Sequence, residues 1–271
     1  MEFFGQIPLW AAFMVTVLIV GLGFELGFRL GLFEKAKPEG EQKAPIGAMV
    51  GVMLSLSAFI LAFTFGVAAD RFNERRVLVI EEANAIGTTF LRSDFLPEKN
   101  RDAVKNLLRQ YVGLRLKLMN DLRETPDVRL VMRAVDESDK IQELIWAQAV
   151  EVGKSQLDSD VIALFIDSLN GTIDLQSKRV TAALHTRLPG QIWLSLYMLI
   201  VFGMAGLGYQ FGIAGERKLS LTCAVLLSFA IVMTMIADLD RATEGFMQAN
   251  KQPLQDLGKK LGVSADGMQS K

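Results

Sequence analysis

Four long tracts of the chain contain no Asp, Glu, Lys or Arg: residues 3–24, 46–69, 190–215 and 219–237. A helix needs roughly 20 apolar residues to cross a hydrocarbon core, and each tract is about that long. A soluble domain spreads its apolar residues along its elements at helix or strand spacing. Here they stand in blocks, while charge gathers in 70–190, with 18 Lys or Arg against 19 Asp or Glu. This excludes a simple soluble globule and predicts an all-α membrane protein. Four transmembrane helices would carry a helical insert between spans two and three.

The boundaries predicted are 1–76 for spans one and two, 77–187 for the insert, 188–241 for spans three and four, and 242–271 for a C-terminal tail. Span one runs from about Pro8 to Phe33, with Gly23, Gly27 and Gly31 on one face. Such a face lets another helix approach closely in lipid. Its start lacks the basic region and the small-residue cleavage site of a signal peptide, so a permanent span is expected. A polar linker follows at 34–44. No Pro occurs from Ile46 to Leu96, so span two is expected to continue as one long stalk helix until Pro97. The insert reads as helices over 98–123, from Thr125-Pro126-Asp127 to about Val152, and from Asp160 to about Arg187. Pro253–Leu261 reads as a short amphipathic helix.

The near-even charge balance, −1 overall, gives no sign of a nucleic-acid partner. One cysteine, Cys223, and one histidine, His185, leave no zinc spacing and no internal disulfide. Phosphate-loop, zincin and nucleophile-elbow motifs are absent, so neither enzymatic activity nor a cofactor is expected. An even number of spans places both termini and the insert on one side. The cytoplasmic side of a plasma (inner) membrane is expected, since no disulfides accompany the insert.

Several groups of residues are candidates for function. Met53, Ser57, Ile60, Thr64 and Ala68 fall near one face of span two, where hydroxyls flank an apolar constriction. That stripe suits a pore, and ordinary helix packing is its competing reading. Asp70, Arg71, Glu74, Arg75 and Arg76 end span two, and Asp238, Asp240 and Arg241 end span four. They form an ion-pair girdle that fixes the span ends, or else an ion vestibule or a lipid headgroup site. Glu81, Asn84, Thr88 and Arg92 make a polar stripe on the stalk. Glu25 is the only acid within a span; it is placed to pair with Arg29 four residues on.

The stretch Leu61–Arg76, with its Asp70, Arg71, Phe72, Glu74 and Arg76, resembles the end of the second span in bestrophins. The order of two spans, a helical insert and two spans is similar too. Phe24–Gly31, Glu81–Arg92, Asp238–Arg241 and Gln252–Leu257 are similar to a bacterial bestrophin-like family across nearly the whole chain. The resemblance implies a homo-oligomeric ion channel, a pentamer, whose second spans line a narrow neck passing inorganic ions through the lipid bilayer. Thr64-Phe65 replaces the Arg and polar residue typical of bacterial bestrophins at the neck. Only Asp238 and Asp240 stand where animal members carry a dense acidic calcium clasp, so no metal site is expected. The alternative is a membrane-anchored scaffold or sensor whose insert binds a soluble partner.

Overall fold

The computed structural model describes residues 8–35, 45–125, 127–155, 158–184, 186–241 and 250–263. The linker at 36–44, His185, and much of the expected tail (242–249 and 264–271) lie outside the described residues. The described residues form eight α-helices: α1 (Leu9–Lys35), α2 (Ile46–Arg92), α3 (Glu98–Glu124), α4 (Val128–Ser155), α5 (Asp160–Leu184), α6 (Gly190–Ala214), α7 (Leu219–Asp240) and α8 (Gln252–Leu261). Four of them, α1, α2, α6 and α7, are long and apolar enough to cross a membrane.

Helix α2 runs unbroken for 47 residues. A 3₁₀ turn at Ser93–Phe95 follows, and Leu96 is extended with φ −78° and ψ 154°. Pro97 explains this stop, because its ring disfavours helical geometry in the residue before it. The stalk helix therefore ends four residues before the position expected from the proline-free run.

The chain divides into two compact units. The first comprises α1, α2 up to Arg71, α6 and α7. Its closest approach is between α1 and α6. A Cβ added at Gly27 would overlap the Ala205 carbonyl, and one at Gly212 would overlap the Phe28 carbonyl. Backbones this close need glycine on both helices. The hydroxyls of Thr16 and Tyr197 share a 2.7 Å hydrogen bond across the same pair. Gly215, at φ 75°, closes α6 in left-handed geometry, with its N–H donating to Phe211 O at 2.9 Å.

The second unit comprises α2 from Phe72, α3, α4, α5 and α8. Its core contains Ile86 of α2, Leu108 and Tyr111 of α3, Ile145 of α4, Phe165 and Leu169 of α5, and Leu254 of α8. The buried residues of α2 in this unit fall at 75, 78, 79, 82, 83, 86 and 89, the three-and-four spacing of a packed helix seam. Helix α8 is fixed on α3 by Lys251 Nζ donating to Asn120 Oδ1 at 2.7 Å and Arg109 Nε donating to Leu261 O at 2.9 Å.

Candidate functional site

Within the first unit, α2 turns one face inward. Ser57, Thr64 and Ala68 of the expected pore stripe are buried there, while Ile60 is half-buried and Met53 exposed. Ser57 donates to Met53 O at 2.8 Å and to Leu199 O of α6 at 3.1 Å. Thr64 donates to Ile60 O at 2.8 Å. Both hydroxyls are thereby satisfied without water, as buried polar groups need to be.

The opposite face of α2 carries Ser55, Phe59, Phe63, Gly66 and Asp70, all exposed. Phe59 and Phe63 show 66% and 67% of their surface. Span two also buries the smallest share of its apolar window, 17% against 22–33% for the other three spans. Between α2 and α7 lies an apolar groove of about 610 Å³, lined by Leu61, Phe65, Val225, Phe229 and Met235.

The boundary residues divide between the two units. In the first, Arg71 Nη1 lies 3.9 Å from Asp240 Oδ1, and that oxygen also accepts the Leu188 N–H at 2.9 Å. Asp238, Asp240 and Arg241 are buried. Arg71 Nη1 is itself buried and makes no hydrogen bond among the described residues. In the second unit, Glu74 and Arg76 are exposed and Arg75 is buried. The Arg76 guanidinium sits 6.0 Å from the centre of the Phe72 ring. Among the described residues, no three His, Cys, Asp or Glu side chains gather as a metal set.

Of the stalk stripe, Glu81, Asn84 and Thr88 are exposed. Asn84 and Thr88 line a groove of about 590 Å³ shared with Asp256, Leu257 and Lys260 of α8. Arg92 turns to α5, donating to Leu164 O at 2.7 Å and lying 3.5 Å from Asp167. Glu25 accepts from Arg29 at 2.9 Å, as its spacing predicts, and also from Arg217 at 2.7 Å. The Arg217 guanidinium sits 4.3 Å from the centre of the Phe28 ring.

The most connected polar group is Glu82, one position beyond the expected stripe. Its carboxylate is fully buried. It accepts from Tyr111 Oη at 2.8 Å, from Arg115 Nε at 3.2 Å and Nη2 at 3.0 Å, and from Arg179 Nε at 3.2 Å. Burial pushes this carboxyl up, but Arg115, Arg179 and the Tyr111 hydroxyl outweigh it and hold the group at about 2. Burial, then the Glu82 charge, push the Tyr111 hydroxyl up, so it stays neutral. Burial lowers Arg115, but Glu82 more than offsets it; burial and Arg115 together leave Arg179 lowered. The signal for Glu82 lies in the seam: position 82 continues the inward series, whereas 81 falls on the outer face.

The fold and these contacts define a class: an all-helical membrane protein with four apolar spans, whose second span continues into a charged helical unit. A sequence model of the bestrophin-like domain matches residues 15–254. The chain belongs to the bestrophin-like family. No curated protein matches it. Its fold is that of a bacterial bestrophin homologue from Klebsiella pneumoniae, with 15% identity over 96% of this chain and 98% of that one and a TM-score of 0.65. A single-substitution variant of the Klebsiella pneumoniae homologue gives 15% identity, 93% and 96% coverage and a TM-score of 0.61. A structure described only as a variant membrane protein gives 16% identity, 97% and 100% coverage and a TM-score of 0.65.

Proposed function

We propose that this chain is one subunit of a homo-oligomeric, pentameric channel that passes inorganic ions passively through a pore lined by α2. The insert and both termini lie on the cytoplasmic side of the plasma (inner) membrane in this reading. The observation that carries it is the outer face of α2. In a lone chain, Phe59 and Phe63 would meet only lipid, while Ser55, Gly66 and Asp70 of the same face have no reason to. A ring of copies gives that whole face a use: two aromatic rings form a hydrophobic constriction between polar groups above and below. On this reading Ser57, Thr64 and Ala68 hold the pore helix against its own subunit. Met53 and Ile60 flank the lumen, and Asp70 and Arg71 lie at its inner mouth.

Flux through liposomes holding the purified protein tests this reading. Phe59→Ala with Phe63→Ala widens the constriction and raises the flux; Ser57→Ala leaves the permeation path alone. Liposomes that stay ion-tight with wild-type protein, or a mass in mild detergent other than five subunits, would count against the channel. The membrane-anchored scaffold then leads, favoured by Leu144, Trp146 and Val150, which stand exposed on α4.

A further inference from the structure

The cluster around Glu82 is unbalanced. Two guanidiniums meet one carboxylate, and Tyr111 adds no charge while neutral. Arginine does not deprotonate in proteins, so the cluster carries one surplus positive charge. The side chains concerned are 0% exposed for Glu82, 3% for Arg115 and 13% for Arg179. A charge largely removed from water is stabilised by a counter-charge close by, and here two cations share a single one. Among the described residues, Glu82 is the only acid within ion-pair distance of either arginine. The next polar layer offers no help. Gln176, three residues before Arg179 on α5, donates to Asp139 and accepts from Gln142.

The two arginines use the shared carboxylate differently. Arg115 grips it with two nitrogens, Nε and Nη2. Arg179 reaches it with Nε alone. The two terminal amino groups of Arg179 make no hydrogen bond among the described residues, and its 13% exposure leaves an edge that solvent reaches. Those groups form a fixed planar fork, the geometry that grips an oxyanion with two hydrogen bonds or cradles a halide. The fork is already held in place by Glu82, so an arriving anion need not order it.

We propose that the second unit binds a small inorganic anion at the outer edge of the Arg179 guanidinium, where the anion supplies the missing negative charge of the Glu82–Arg115–Arg179 cluster. The anion then caps the Arg179 edge of α5, while Glu82 ties α5 to α2 and α3. Occupancy stiffens the junction of three helices, one of which is the continuation of span two. The site requires neither a pore nor a ring of copies, so it stands or falls apart from the channel reading.

Full-length protein in detergent is unfolded by heat at constant ionic strength, with potassium gluconate replaced stepwise by chloride in one series and by inorganic phosphate in another. An anion that binds only the folded state raises the unfolding midpoint in a saturable way, by about 3 °C between about 1 and about 100 mM. A response to chloride alone assigns a halide site; a response to phosphate assigns an oxyanion site. Arg179→Gln leaves Glu82 paired one-to-one with Arg115 and removes the response. Arg179→Lys keeps the charge without the fork and weakens the apparent affinity roughly tenfold, which keeps the test open if the glutamine variant does not fold. A wild-type midpoint indifferent to both anions overturns the proposal. So does an equal response in wild type and the Arg179 variants, or a midpoint that follows protein concentration instead of anion concentration.

Discussion

At Gly27 a single methyl group decides whether α1 and α6 can touch. A Cβ there would overlap the Ala205 carbonyl, which is backbone and cannot swing aside. Gly171 on α5 is also helical, yet a Cβ there would meet nothing within 4 Å. The same substitution should therefore act with opposite sign. Gly27→Ala forces the helices apart and lowers stability by about 1–3 kcal/mol. Gly171→Ala gains helix propensity and raises stability by up to about 1 kcal/mol. Paired unfolding curves in one detergent check both, and a destabilising Gly171→Ala would contradict the open space at that site. Residue-scale logic also separates Glu81 from Glu82. They are adjacent and chemically identical, but one helical step of about 100° puts the first outside and the second in the core.

At the scale of elements, α8 is ten residues long and too short to be stable alone. It holds its shape because Leu254, Leu257 and Leu261 are buried in the second unit, and because Gly258 fits beside Leu116. Leu254→Ala leaves a cavity costing about 2–5 kcal/mol, enough to free the helix. Trypsin should then cut at Lys251, Lys259 and Lys260 far faster than in the wild type, since cleavage needs local unfolding. Unchanged cleavage would mean that α8 is held by other contacts. The existence of this helix was readable from Pro253 and its leucine spacing; its docking on α3 was not, because Arg109 and Lys251 act across more than 100 residues. The four spans were readable from charge-free length alone, a property local in sequence. Which face of span two is covered depends on Leu199 and Gly203 of α6, far along the chain. A stripe chosen by hydroxyl content therefore could not distinguish lumen from packing. The Glu25–Arg29 pair follows from a four-residue spacing, whereas Arg217 joins it only through the fold.

For the whole molecule, the two units rely on different forces and should fail under different conditions. The first is packed through close helix backbones and apolar side chains. The first also buries Asp238 and Asp240, but the second is built around a buried carboxylate held far below its ordinary value, so acid acts on its core through Glu82. Glu82 is held at about 2, below its ordinary 4.5. A depressed carboxyl stabilises the fold fully above its unfolded value, and that contribution is lost as pH falls from about 4.5 toward about 2. Trp146 is the tryptophan of the second unit, and Trp10 and Trp193 belong to the first. With Trp10→Phe and Trp193→Phe, Trp146 fluorescence reports the second unit alone. Its signal should change cooperatively within that acid window, while the far-ultraviolet helix signal of the spans persists. Glu82→Gln removes the titrating group and leaves two buried guanidiniums without their carboxylate, which costs about 3–5 kcal/mol. The variant should start less stable at neutral pH and lose the acid transition tied to this site. If its acid transition matched the wild type in midpoint and steepness, other carboxylates would govern the acid sensitivity, and the Glu82 cluster would be a packing device rather than the electrostatic keystone of the unit.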